Sequence, residues 1–185
     1  MDMTGEPVVT GVDRWRALAK TFAVALVTTV GGALVGYFSM KGVTQDAAPG
    51  VPVSHIAFWT ILWRNLGAAM MLYSGVCTVG VSTVIGGLLL GGYVGATWAA
   101  AVSAVGAASA GGSIVWYAPL EMLGLVLAAV AGLMPVVAML GRPPTTPRLR
   151  AYSDALPTSL RMLAIAVAVL VAAAFLETLV IGSRT

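Results

Sequence analysis

Long apolar runs, separated by short polar segments, dominate the chain. A transmembrane helix needs about 20 mainly apolar residues, and five stretches meet this requirement. They are residues 21–40, 56–77, 81–104, 113–140 and 160–181. The pattern therefore predicts an all-α fold, a polytopic transmembrane helical bundle of about five spans. Residues 1–185 are expected to form a single transmembrane domain, with a short cytoplasmic N-terminal segment at residues 1–20.

The scarcity of charged residues supports this class. Only 9% of the 185 residues are charged, whereas 59% are hydrophobic. An ordinary soluble domain is about a quarter charged, so we expect the lipid bilayer to be the solvent of this chain. The formal net charge of +3 comes from basic residues near the span ends. Such residues set membrane topology, and no nucleic-acid partner is predicted.

The distribution of lysine and arginine predicts the orientation of the bundle. One basic cluster precedes the first span, and a second lies between the fourth and fifth spans. The clusters are Arg14, Arg16 and Lys20, and Arg142, Arg148 and Arg150. Both are expected on the cytoplasmic side, which places the N-terminus inside. The junction between the second and third spans, residues 75–82, is so short that a re-entrant hairpin is an alternative to two full crossings.

Small residues recur four positions apart in the first and third spans. Gly32 and Gly36 form one pair, and Gly87, Gly91 and Gly95 repeat the spacing in the third span. Small residues four apart let a second backbone approach closely. The pattern predicts a helix-packing or dimer seam. Three interpretations are open: packing within one chain, a homodimer contact, or a flexible transport helix.

Three charged side chains fall inside the predicted spans. Arg64 lies in the second span, Glu121 in the fourth and Glu177 in the fifth, and Asn65 follows Arg64. The predicted orientation puts all three charges in the outer half of the bilayer. Because arginine keeps its charge, Arg64 is expected to pair with Glu121 or Glu177, with Asn65 adding a hydrogen bond. These residues either fasten three helices together or form an intramembrane polar site for a substrate, a proton or a partner peptide.

Signatures of enzymatic chemistry are absent from the sequence. It contains no His-Glu-x-x-His, Gly-x-Ser-x-Gly or nucleotide-binding P-loop motif. His55, the single histidine, stands beside aromatic residues and suits the membrane interface better than a metal site. Cys77, the single cysteine, excludes an intramolecular disulfide and is expected to be a packed thiol. We predict a non-enzymatic protein with no metal and no cofactor.

Three sequence motifs occur in order within residues 56–181. The first comprises Trp63-Arg-Asn-Leu-Gly-Ala-Ala, Tyr73-Ser-Gly-Val-Cys-Thr-Val-Gly and Gly86-Gly-Leu-Leu-Leu-Gly-Gly. The second begins Ala118-Pro-Leu-Glu-Met-Leu-Gly, and the third is Ala172-Ala-Ala-Phe-Leu-Glu-Thr-Leu-Val-Ile. In this order they resemble the stage II sporulation protein M (SpoIIM-like) family. Glu121 and Glu177 match the glutamates of that family.

The chain departs from the family pattern at three places. Trp116-Tyr117-Ala118 stands where the family has Pro-His-Gly, and Arg64 and Gly86 each stand where the family has asparagine. Any role that needs the family histidine therefore does not carry over to this chain.

The resemblance implies a membrane role with two alternatives. The sporulation member of the family is a scaffold for peptidoglycan-remodelling enzymes, whereas other relatives are permease-like, some beside an ABC-type ATPase. The composition is typical of a high-GC bacterium, which need not engulf a forespore. We therefore expect an oligomeric, permease-like subunit of the bacterial cytoplasmic membrane with a cytoplasmic ATPase partner. A cell-envelope scaffold is the alternative, and an ion-coupled carrier using Glu121 is a third hypothesis.

Overall fold

The computed structural model describes residues 11–43, 58–141 and 147–182. The helices of this part are α1 (Gly11–Met40), α2 (Phe58–Tyr73), α3 (Val81–Val105), α4 (Ala107–Ile114), α5 (Ala118–Leu140) and α6 (Arg148–Gly182), and a 3₁₀ turn (Ser74–Val76) follows α2. Four of them, α1, α3, α5 and α6, are long and apolar enough to cross a membrane. The described part of α2 is a shorter, 16-residue helix. The predicted all-helical membrane bundle is confirmed, and the four long helices together with α2 are roughly consistent with about five spans.

The fourth predicted span begins too early. The sequence places its start at residue 113, but α5 starts at Ala118, after the short helix α4 has ended. Gly106, with φ at +80°, separates α4 from α3. Pro119 occupies the first turn of α5, where its missing N–H removes no helical hydrogen bond. The apolar run continues across this break, so hydropathy alone does not detect it.

The fifth predicted span begins too late. The sequence predicts its start at residue 160, whereas α6 starts at Arg148. The Pro147 carbonyl accepts hydrogen bonds from the amides of Arg150 and Ala151, which form the first turn of the helix. Pro147 therefore stands directly before the start of α6, and the following polar segment is helical although it contains Pro157.

Two hydroxyl contacts explain why this polar segment is helical. The Tyr152 hydroxyl donates a hydrogen bond to the Val76 carbonyl in the turn after α2. The buried Ser159 hydroxyl donates to the Ala131 carbonyl of α5 at 2.7 Å. These contacts attach the first half of α6 to the rest of the bundle, an effect that the local sequence does not reveal.

Contacts between the helices fix their relative directions. Helices α1 and α3 are parallel, because Gly32 lies against Leu88 and Gly36 against Gly92. Helix α2 runs antiparallel to α3 and parallel to α5. Helix α6 is antiparallel to α5. The starts of α1, α3 and α6 therefore lie at one end of the bundle, and the starts of α2 and α5 lie at the other.

Exposed basic residues mark one end of the bundle. Arg16 and Lys20 lie in the first part of α1, and Arg148 and Arg150 lie in the first turn of α6. The positive-inside rule assigns this end to the cytoplasm, which agrees with the predicted orientation. We call the opposite end the outer end.

The turn between α2 and α3 packs on the cytoplasmic half of α5. Gly75 in the turn lies against the Gly132 carbonyl, at 3.1 Å from an ideal Cβ on Gly75. Gly80, at the end of the turn, lies against Leu133 and Val136, so the turn comes within about one helical turn of the end of α5 at Leu140. Cys77, in the same turn, is exposed, so the prediction of a packed thiol is wrong.

The predicted glycine seam joins α1 to α3 within the chain. A Cβ on Gly36 would overlap the Gly92 carbonyl oxygen, and a Cβ on Gly95 would overlap the Ala33 carbonyl oxygen. The remaining members are in similar contacts: Gly32 with Leu88, Gly91 with Thr29 and Gly87 with Thr28. The two backbones touch along this line, so these glycine faces are already covered by the chain itself.

Helix α5 forms the centre of the bundle. More than half of its membrane window is buried, a larger share than in the other long helices. Its small residues receive neighbours on two sides, because Leu170 of α6 packs on Gly124 and the Leu72 carbonyl of α2 packs on Gly132. Helices α2 and α6 are therefore positioned by their contacts with α5.

The glycine seam makes a testable prediction about stability. Gly95→Ala should lower the free energy of unfolding by about 1–3 kcal/mol, because the added methyl group overlaps a carbonyl that cannot move independently of α1. Unfolding in mixed micelles with increasing SDS, followed by tryptophan fluorescence, measures this change. Gly31→Ala is the matched control, since an added Cβ there meets nothing within 4 Å. Equal stability of the two variants would contradict the packing of the seam.

Candidate intramembrane polar site

Adjacent residues of α2 face two different sides of the helix. The buried residues Ile61, Asn65, Ala69 and Leu72 follow the helical period and form the face toward α5. Arg64 precedes Asn65 and is therefore rotated by about 100° around the helix axis. It lies exposed on the side of the bundle next to α3. The Asn65 amide therefore faces α5, whereas the Arg64 guanidinium faces the side next to α3.

Arg64 makes its direct contact with a tyrosine of α3. Its Nη2 donates a hydrogen bond to the Tyr93 hydroxyl at 3.0 Å, and its guanidinium carbon lies 5.8 Å from the centre of the Tyr93 ring. Both Glu121 and Glu177 interact with Arg64 electrostatically, but neither carboxylate forms an ion pair with it in the described part of the chain. The predicted direct pairing is therefore replaced by the Tyr93 hydrogen bond.

Asn65 faces Glu121 across the contact between α2 and α5. The Asn65 side chain is only 5% exposed, yet its Nδ2 has no hydrogen-bond partner. The amide thus approaches the carboxylate without completing a hydrogen bond of standard geometry. A buried polar group without a partner costs about 1–3 kcal/mol, so the facing Glu121 carboxylate compensates the burial of this donor only in part.

The two glutamates come from the outer ends of their helices. Glu121 lies in the first turn of α5, where the helix dipole favours a negative charge. Glu177 lies near the end of α6 and interacts electrostatically with Glu121. Both side chains are partly buried. We call Arg64, Asn65, Tyr93, Glu121 and Glu177 the outer polar cluster. It contains two carboxyl groups and one guanidinium, so acidic groups outnumber basic groups.

The position of the cluster makes it energetically expensive. Tyr93 lies twelve residues from Val81 and twelve from Val105, the two ends of α3. Arg64 is therefore held level with the middle of a membrane-spanning helix, where an arginine costs at least ~2.5–3.5 kcal/mol on insertion scales. Ionisable residues at such depth line pathways, relays or binding sites in membrane proteins. The cluster is the candidate functional site of this chain.

Tyr93 is the member of the cluster that the sequence argument misses. It stands alone among glycines and leucines and carries no charge, so it does not stand out beside Arg64. Its position was nevertheless unusual. Tyrosine is enriched at the two membrane interfaces, whereas Tyr93 lies in the middle of a predicted span. A tyrosine in this position suggests a polar partner within the membrane.

Other predicted features lie apart from the cluster. The five glycines of the seam pack α1 on α3 and contribute no polar side chain. His55 lies outside the described residues. Within the described ranges, no group of three or more His, Cys, Asp or Glu residues is arranged to hold a metal ion. The cluster can bind a polar or charged group, or hold protons on its carboxyl groups.

The bond between Arg64 and Tyr93 can be tested by a double-mutant cycle. Combining Arg64→Met with Tyr93→Phe should give a coupling free energy of about 0.6–1.7 kcal/mol, the range of side-chain hydrogen bonds inside membranes. SDS unfolding of the two single variants and the double variant measures it. Tyr37→Phe is the control, since the Tyr37 ring packs on Phe38 and its hydroxyl bonds to no described residue. Additive effects of Arg64→Met and Tyr93→Phe would refute the contact.

Comparison with known proteins identifies the family. A family model described as Stage II sporulation protein M matches residues 22–180. No curated protein and no solved structure shows a significant match to the chain. The matched segment contains all five residues of the outer polar cluster and covers most of the chain. The protein therefore belongs to the stage II sporulation protein M (SpoIIM) family of membrane proteins.

Proposed function

We propose that this protein is a non-enzymatic, permease-like subunit of a transport or export complex in the bacterial cytoplasmic membrane. The outer polar cluster carries this proposal. It collects side chains from α2, α3, α5 and α6 within an otherwise apolar bundle, and it includes a buried amide donor without a partner. Such a group resembles a binding site for a polar cargo more than a simple fastener, because ionisable residues inside a membrane usually mark a pathway or a binding site.

Any ATP hydrolysis that drives transport has to come from another protein. The sequence has no P-loop for nucleotide binding, so we propose a separate cytoplasmic ATPase as the partner. Exposed Arg16, Lys20 and Arg148 lie at the cytoplasmic end, where they offer a basic surface to an acidic patch of that partner. Arg161 is also exposed on α6.

A membrane scaffold for cell-envelope enzymes is the second candidate. It is favoured by the shape of the described surface, where two hollows of about 340 and 360 Å³ are open and lined mainly by apolar side chains. Neither hollow includes a residue of the outer polar cluster, and neither forms a passage through the bundle. In this alternative the outer polar cluster only holds helices together, and the cell-envelope enzyme that the scaffold recruits lies outside the membrane.

Co-purification distinguishes the two candidates. The tagged protein, extracted from its native membranes in a mild detergent, should retain a cytoplasmic ATPase in a fixed stoichiometry. Recovery should fall when Arg16 and Lys20 are both replaced by Glu, because the basic surface is then reversed. Asp154→Asn, an exposed change on the same end of α6, serves as the control. A peptidoglycan hydrolase in place of the ATPase would favour the scaffold and defeat the permease-like role.

The cargo site is tested through the two glutamates. Glu121→Gln and Glu177→Gln should leave the complex assembled but reduce transport-linked ATP hydrolysis by at least tenfold, because each change removes a carboxylate from the site. The activity of the purified complex in liposomes containing the native cytoplasmic extract provides the measurement. Unchanged hydrolysis in both variants would exclude a role for the cluster in transport.

A further inference from the structure

A hollow lies between α1, α5 and α6 near the cytoplasmic end of the bundle, and we call it the cytoplasmic hollow. Its volume is about 360 Å³, and α1 contributes Trp15, Leu18, Ala19 and Phe22 to its wall. The spacing of these four residues places them on one face of α1, over about 10 Å along the helix axis. The hollow therefore follows α1 from the basic start of the helix into the membrane.

The cytoplasmic hollow has a packed floor and an open side. Val130 of α5, in the floor, is buried, and Leu127 of α5 and Met162 of α6 pack against the core. On the open side, Trp15 is 74% exposed and Phe22 is also exposed. Because the bundle lies in a bilayer, this open apolar side meets the acyl chains of lipids. The hollow thus offers an acyl chain contacts on three helices at once.

The surroundings of the hollow are basic. Arg16 directly follows Trp15 in α1, Arg161 directly precedes Met162 in α6, and both arginines are exposed. Long basic side chains extend along apolar surface and hold their charge at the membrane interface. Among the described side chains of this end, Asp154 is the single acidic group, whereas five are basic. The local charge therefore favours an anionic headgroup.

We propose that the cytoplasmic hollow binds an anionic phospholipid of the cytoplasmic leaflet, with one acyl chain in the hollow and the phosphate at Arg16 and Arg161. The apolar lining suits the chain, and basic pockets between membrane helices on the cytoplasmic side bind such headgroups. Trp15 stands at the mouth, at the headgroup level that tryptophan prefers. This lipid site is separate from the outer polar cluster and does not depend on the proposed function.

Fluorescence quenching by brominated lipids tests the site in the purified protein. The protein is reconstituted into phosphatidylcholine vesicles that contain a small fraction of lipid brominated on its acyl chains, either phosphatidylglycerol or phosphatidylcholine. The Trp15 signal is the difference between the unsubstituted protein and Trp15→Phe. Brominated phosphatidylglycerol should quench this signal at a mole fraction at least fivefold lower than brominated phosphatidylcholine, because the site concentrates the anionic lipid.

The role of the basic residues is tested by changing one of them. Arg161→Gln should reduce the preference for the anionic lipid about fivefold, the effect of one basic residue near an anionic headgroup. Arg161→Lys should retain most of the preference. Lys41→Gln is the matched control, since it removes one exposed positive charge at the opposite end of α1. An equal loss in Lys41→Gln and Arg161→Gln would contradict a site at the cytoplasmic end.

A second pair of variants separates binding in the hollow from attraction to a diffuse positive surface. Ala19→Phe fills part of the hollow without changing a charge, so the preference of the Trp15 signal should fall by at least half. Ala23→Phe makes the same change at an exposed position of α1 outside the hollow and should keep the preference. A single symmetric elution peak of each variant shows that the bundle is intact.

Three results would overturn the lipid site. They are equal quenching by the two brominated lipids, no quenching of Trp15 by either lipid, and a preference that persists in both Arg161→Gln and Ala19→Phe. The last result would assign the preference to the diffuse charge of the cytoplasmic surface. Since the measurement uses the purified protein without an ATPase, none of these results affects the proposed function.

Discussion

Backbone contact through small residues is the interaction on which this bundle depends. Lipid tails are as apolar as leucine, so helices in a membrane gain little from burial alone and associate through close packing and hydrogen bonds. Gly36 and Gly95 bring α1 and α3 so close that one added methyl group would overlap a carbonyl oxygen. Gly132 does the same where α5 meets the α2–α3 hairpin. These contacts leave the large apolar side chains of α1 and α3 facing lipid.

Hydroxyl groups complete this packing by bonding to backbone carbonyls of neighbouring helices. Thr83 donates to α2, Ser159 to α5 and Tyr152 to the turn after α2. Each bond satisfies a polar side chain where water is scarce. The outer polar cluster departs from this rule, since Asn65 keeps an unpaired donor and Arg64 is exposed. A local departure from a rule that the rest of the bundle obeys is expected at a functional site.

Helices α2 and α5 join the outer polar cluster to the turn on the cytoplasmic half of the bundle. Helices α2 and α5 run in parallel from the cluster toward the turn at Gly75, where Gly132 joins them. The proposed cargo site and the proposed ATPase surface therefore lie on opposite sides of one packed unit.

The sequence by itself determined the membrane environment, the helical class, the orientation and four of the five cluster residues. Charges within an apolar run and basic residues at its ends are visible in one dimension. Only the tertiary structure decided that Arg64 bonds to Tyr93, that the glycine seam closes within one chain, and that α6 begins at Arg148. These features depend on how each helix is rotated and which neighbour it meets. Hydropathy does not encode that choice, because lipid and the protein interior are equally apolar.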